Sequence, residues 1–162
     1  MSQLTGSDSL LSEAGERVAP IASIRAAEPQ TRPLGILIVD DDEGIRRMLD
    51  IGLKQHGFAV WAAANANEAI DLYHSHQQSV DLVLLDVRMP GQDGPTILSA
   101  LQQSNHHIRA CFMTGDAGIY TERDLYDRGA LAVFEKPLHP HELAEQLKEM
   151  TTTIDPRNAS GG

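Results

Sequence analysis

The chain has 162 residues, with 13 Lys and Arg against 23 Asp and Glu, so its formal net charge is −10. Hydrophobic residues are 41% and charged residues 22%, the balance of a soluble globular domain with one buried core, while the acidity argues against direct nucleic-acid binding. A single cysteine excludes an internal disulfide and leaves a Cys-built zinc site implausible, and no apolar run approaches the ~18 residues of a membrane span.

The first segment, residues 1–33, is rich in Ser, Ala, Glu and Pro and carries no sustained period, which predicts a disordered arm. Leu10, Leu11, Val18 and Ile21 leave open a short helix that docks on a partner. With Asp8, Glu13 and Glu16 and no long apolar stretch, the arm does not read as a secretory signal, and a cytoplasmic location is expected. The arm has four acids and three arginines, and the stretch 151–162 one of each. About −9 therefore belongs to the middle segment, 34–150.

That segment alternates two periods. Gly35–Val39 is a continuous apolar run rich in β-branched residues, the pattern of a strand buried on both faces. Ile45, Met48, Leu49 and Leu53 follow at helical spacing and close on His56–Gly57. Phe58–Ala62 reads as a second strand, and Asn67 as the cap of a helix carrying Ala69, Ile70, Leu72 and Tyr73. Asp81–Leu85 is a third strand, Pro95–Leu101 a helix, and Ile108–Met113 a fourth strand. Tyr120–Arg128 is a weakly amphipathic helix ended by Gly129; Ala130–Phe134 is the fifth strand and Pro140–Met150 the last helix. Thr151–Gly162 reads as a disordered tail, with no output domain after Met150. Five strand–helix pairs in about 118 residues imply an α/β fold, a doubly wound five-stranded parallel sheet with helices on both faces. The functional site of such a sheet lies beyond the carboxyl ends of its strands.

Those ends carry Asp40-Asp41-Asp42, Asp86, Thr114 and Lys136-Pro137. Crowded carboxylates stay ionised only when a cation joins them, and hard oxygen ligands favour Mg²⁺. A hydroxyl and an ammonium on the same edge suit the oxygens of an anion. A carboxylate nucleophile, a divalent cation and two anion donors make a phosphoryl-transfer site, with Asp86 becoming an acyl phosphate. Each residue also has a plain structural role: Asp42 and Glu43 as the start of a helix, Thr114 as a strand end, Lys136 as a surface lysine. Asp86 resists that account, because an Asp directly after four apolar strand residues is costly unless it is used. The constellation, rather than any one member, carries the argument.

The stretches Ile36-Leu-Ile-Val-Asp-Asp41, Asp81-Leu-Val-Leu-Leu-Asp86-Val-Arg-Met-Pro90-Gly-Gln-Asp-Gly94, Met113-Thr114-Gly115, Gly129-Ala130 and Glu135-Lys136-Pro137 resemble the receiver domains of two-component response regulators. The resemblance covers about Pro33 to Met150 and implies a flavodoxin-like (βα)5 receiver fold. It implies Asp86 as phosphoacceptor from a partner histidine kinase, a histidine phosphotransfer protein or a small acyl phosphate. Mg²⁺ would be held by Asp41, Asp40, Asp86 and the backbone carbonyl of Arg88. Lys136 would pair with the acceptor and then the phosphoryl oxygens, and Thr114 would donate its hydroxyl to them. The Lys136–Pro137 bond is expected to be cis. Such a domain is a switch rather than an enzyme: its chemistry is transfer to its own aspartate and autodephosphorylation. The downstream partner would meet the fourth helix, fifth strand and fifth helix.

Two departures stand out. Many receivers carry Tyr or Phe three residues before the lysine, where this chain has Val133; Phe134 faces the other way by strand alternation. Arg88 and Asp116, each two residues past a site member, either bridge over the phosphoryl position or stand as separate surface charges. The seven histidines show no zinc spacing and read as solvated helix-end residues. The rivals to a phospho-switch are a phosphorylation-independent interaction module, a phosphoryl shuttle or sink, and an aspartyl-phosphate phosphatase. The last would need a carboxylate where Arg88 stands.

Overall fold

The structure, a computed structural model, describes residues 32–153. The expected arm, residues 1–33, and tail, 151–162, lie outside the described residues except for 32–33 and 151–153. The compact unit that holds the site begins at Pro33.

Among the described residues five strands and five helices alternate: β1 (Gly35–Val39), α1 (Glu43–Gln55), β2 (Ala59–Ala63), α2 (Ala66–Ser75), β3 (Leu82–Asp86), α3 (Gly94–Ser104), β4 (Ala110–Thr114), α4 (Glu122–Asp127), β5 (Ala130–Glu135) and α5 (Pro140–Thr153). All strand pairs are parallel, in the order β2-β1-β3-β4-β5. The expected doubly wound sheet is present. β1 and β3 are buried at every residue because each has strands on both sides and helices on both faces. One core, centred on Leu37, Leu85 and Phe112, takes Tyr73, Leu101 and Leu125 from α2, α3 and α4. The other, centred on Ile36, Leu84 and Met113, takes Leu49 and Leu53 from α1 and Leu143 and Leu147 from α5. Each such buried side chain stabilises by roughly 1.5–3 kcal/mol relative to leaving it exposed.

The differences from the sequence reading sit at element ends and have local causes. Asn65, not Asn67, caps α2: its side chain accepts from Glu68 N, while Glu68 Oε1 accepts from Ala64 N. The Asn65 cap, with Glu68 reaching back to the amide one residue before it, starts the helix two residues earlier. α4 is six residues long because the Thr121–Asp124 capping box starts it at Glu122, leaving Tyr120 in the preceding loop. α5 runs to Thr153, three residues past the expected end; Thr151 and Thr152 satisfy their hydroxyls on the Leu147 and Lys148 carbonyls.

The change of direction in strand order falls between β1 and β3, and the loops after them open a crevice at that point. One glycine lets the element after β3 pack tightly against its end. A Cβ on Gly94 would lie 2.3 Å from the Asp86 carbonyl oxygen, so only glycine lets α3 start this close to the end of β3.

Candidate functional site at the carboxyl edge

Asp40 follows β1 and is fully buried. Its charge is satisfied: Oδ1 accepts from Asp42 N at 2.9 Å and Oδ2 from Lys136 Nζ at 2.9 Å. Its backbone is pinned as well, with the amide donating to Ala63 O and the carbonyl accepting from Arg46. Asp41 is exposed beside it, and Asp42 turns away to cap α1. Asp86 closes β3 and is 6% exposed.

Carboxylate oxygens of Asp40, Asp41 and Asp86 all lie within 4.8 Å of one another. Lys136 Nζ sits between two of them, 2.9 Å from Asp40 and 3.2 Å from Asp86. Three carboxylates and one ammonium leave a local charge near −2, which a hard divalent cation would balance with oxygen ligands only. The donor set fits Mg²⁺. Burial pushes the Asp86 carboxyl up to about 6, with repulsion from Asp40 and Asp41 adding and Lys136 opposing. Burial alone would lower the Lys136 ammonium, but its bonds to Asp40 and Asp86 outweigh that and raise it.

Lys136 is aimed from the end of β5: its amide donates to Thr114 O at 2.9 Å, and the Lys136–Pro137 bond is cis. Thr114, the last residue of β4, has a buried Oγ1 with no hydrogen-bond partner. An orphaned buried hydroxyl costs on the order of 1–3 kcal/mol.

Above these residues lies an open groove of about 870 Å³, with Asp86 and Lys136 among its lining residues. One wall is the β3–α3 loop with Arg88, Met89 and Asp93; the other is the β4–α4 loop from Gly115 to Tyr120. Two bonds cross between the walls. Arg88 Nη1 donates to Asp116 Oδ2 at 2.8 Å, so the two charges pair with each other, both largely exposed, and are not separate surface charges. Tyr120 Oη donates to Asp93 Oδ2 at 2.7 Å. Asp93 also caps α3, its Oδ1 accepting from Thr96 N. Burial works against the Asp93 charge, but the bonds from Thr96 and Tyr120 hold its carboxyl below the usual range.

Asp40, Asp41, Asp86 and Lys136 thus come together as expected from the sequence, with Thr114 joined to Lys136 through the backbone and Arg88 lining the groove above. The sequence reading missed Tyr120, read as the start of a helix, and Asp93; the Thr121-x-x-Asp124 box just after Tyr120 was the available signal. Val133 packs into the core around Phe112 and Phe134 into the opposite one, as alternation requires. Cys111 is a buried core residue whose thiol burial pushes up to about 12. The histidines at helix ends include one contact that spacing did not foresee: His56, the C-cap of α1, meets His141 of α5 at 3.0 Å.

A family model for the response regulator receiver domain matches residues 36–148. The chain belongs to that family. It is 35% identical over 114 residues to sporulation initiation phosphotransferase F of Bacillus subtilis, covering 70% of this chain and 90% of that protein. It is 30% identical over 141 residues to the sensor kinase CckA of Brucella abortus, covering 85% of this chain but only 15% of that much longer protein. Among solved structures, the complex of CheX and CheY with BeF3 and Mg²⁺ from Borrelia burgdorferi is similar at TM-score 0.67 and 28% identity, over 74% of this chain and 90% of that one. A CheY-like receiver domain from Methanospirillum hungatei is similar at TM-score 0.67 and 28% identity, over 74% and 94%. The flavodoxin-like fold, the two-component receiver assignment and an acidic pocket compatible with Mg²⁺ and phosphorylation follow together. Among the described residues no helix is long and apolar enough to cross a membrane.

Proposed function

We propose that this receiver is a phosphorylation-dependent switch that takes a phosphoryl group on Asp86 from a histidine kinase or histidine phosphotransfer protein. The observation that carries the reading is the ammonium of Lys136 held between Asp40 and Asp86, beside a buried Thr114 hydroxyl without a partner. An Asp86 oxygen attacks phosphorus, the bond from phosphorus to the donor nitrogen breaks, and an acyl phosphate forms. Asp40, Asp41, Asp86 and the Arg88 carbonyl would hold Mg²⁺, which when bound neutralises phosphoryl oxygens. Lys136 then follows the new oxygens and Thr114 donates its hydroxyl to them. The chain turns over no separate substrate in this account; its chemistry is confined to its own aspartate. It works in the cytoplasm, inserts into no membrane and binds no nucleic acid directly, and its partner meets α4, β5 and α5.

A shuttle role is the second reading, supported by the similarity to a protein named a phosphotransferase. Both readings share the chemistry at Asp86. The switch is tested by NMR of the full chain with Mg²⁺ and beryllofluoride, a mimic of the phosphoryl group. Shifts over Thr114–Arg128 in the wild type and none in Asp86→Asn are expected. Binding without change in that segment would remove the switch and leave the shuttle.

The Arg88–Asp116 bridge spans the two loops of the groove that holds Asp86 and would hinder an attacking water. Arg88→Ala is therefore expected to speed loss of the phosphoryl group, on the order of 3- to 10-fold. An unchanged dephosphorylation rate would remove that role.

A further inference from the structure

Resting on that reading, we propose that the Tyr120–Asp93 hydrogen bond is a latch that holds the β4–α4 loop in its unphosphorylated position, and that Tyr120 is the aromatic residue this chain moves when it switches. Three observations converge. First, the segment from Thr114 to Tyr120 is internally braced. Asp116 Oδ1 accepts from Gly118 N at 2.9 Å, Gly118 has φ +66°, and Tyr120 N donates to Ala117 O at 3.1 Å. A pull on Thr114 is therefore passed along the loop instead of being absorbed at its first residue.

Second, the far end of this segment is tied to a different element. Tyr120 Oη donates to Asp93, whose other oxygen caps α3, and the Arg128 guanidinium lies 5.1 Å from the Tyr120 ring centroid. Tyr120 immediately precedes the Thr121 cap of α4, so a displacement of Tyr120 reaches the first residue of that helix through one peptide unit. Third, the near end carries the buried Thr114 hydroxyl that lacks an acceptor. A phosphoryl group on Asp86 supplies the acceptor at one end of the loop while the latch resists at the other. β5 offers no alternative ring on this face, since Val133 packs there and Phe134 packs on the opposite one.

A bond made in the free form and broken in the phosphoryl-bound form opposes binding by the free energy it contributes. The test is the affinity of the full chain for beryllofluoride at saturating Mg²⁺, in wild type, Tyr120→Phe, Thr114→Ala and the double variant. Tyr120→Phe keeps the ring and loses only the hydroxyl. It is expected to bind about 3- to 10-fold more tightly, the size of one typical net hydrogen bond. The gain should vanish in the Thr114→Ala background, where nothing pulls on the loop. A purely structural Tyr120 would shift thermal stability equally in both backgrounds and leave the affinity ratio at one, and that result overturns the latch. Equal gains with and without the Thr114 hydroxyl overturn it too. If wild type itself fails to bind the mimic, the phosphorylation reading falls and the latch with it; wild-type binding with no Tyr120 effect removes the latch alone.

Discussion

Asp86→Asn is expected to stabilise the metal-free protein at pH 7–8, although it removes the residue on which the proposed function turns. The wild-type carboxyl is almost fully buried beside two other carboxylates, and its folded pKa is raised from 3.8 to about 6. The folded state therefore favours the protonated form. The stabilisation Asp86 contributes is fully present below the unfolded value near 4 and is lost as pH rises through about 6. A two-unit shift sets an upper limit near ~3 kcal/mol, so a gain of about 1–3 kcal/mol is expected for the neutral amide. Urea unfolding in EDTA measures it. The advantage should shrink at pH 4–5, where wild-type Asp86 is protonated. It should also shrink at saturating Mg²⁺, which stabilises wild type by mass action. A wild type as stable as the variant at pH 8 in EDTA would contradict the electrostatic account of the site.

Lys136→Met is expected to do the opposite. Methionine keeps much of the apolar stem and removes the ammonium that lies 2.9 Å from Asp40 and 3.2 Å from Asp86. Breaking one side of a buried ion pair leaves an uncompensated buried charge, typically a loss of 3–5 kcal/mol. Here Asp40 keeps its bond from Asp42 N and Asp86 can take up a proton, so a loss of roughly 2–4 kcal/mol at pH 8 in EDTA is expected. The loss should be smaller at pH 5 and smaller with Mg²⁺. A pH-independent loss would assign Lys136 a packing role only.

Much of this was legible in the sequence for physical reasons. Gly35–Val39 and Leu82–Leu85 are apolar at consecutive positions because both faces of β1 and β3 are covered. A polar residue ending such a run is conspicuous, and parallel strands bring all such ends to one edge. That is why the sequence alone groups Asp40, Asp86, Thr114 and Lys136. Element ends were less legible, since capping depends on which of two neighbouring groups wins: Asn65 and Asn67 are both good caps, and Glu68 reaching back to Ala64 decides. The groove walls were least legible. Tyr120 and Asp93 are 27 residues apart and share no periodicity, so their bond exists only once β3 and β4 pair. The same holds for His56 and His141, which meet because Gly52 lets α1 approach Pro140 closely.

The central claim is that Asp86 accepts a phosphoryl group with help from a divalent ion. Intact-protein mass after incubation with acetyl phosphate and Mg²⁺ tests it most directly, in wild type and in Asp86→Asn. An adduct of about 80 Da in the wild type only, lost when EDTA replaces Mg²⁺, is the predicted result. An adduct of the same size on Asp86→Asn, or one formed equally well in EDTA, would contradict it.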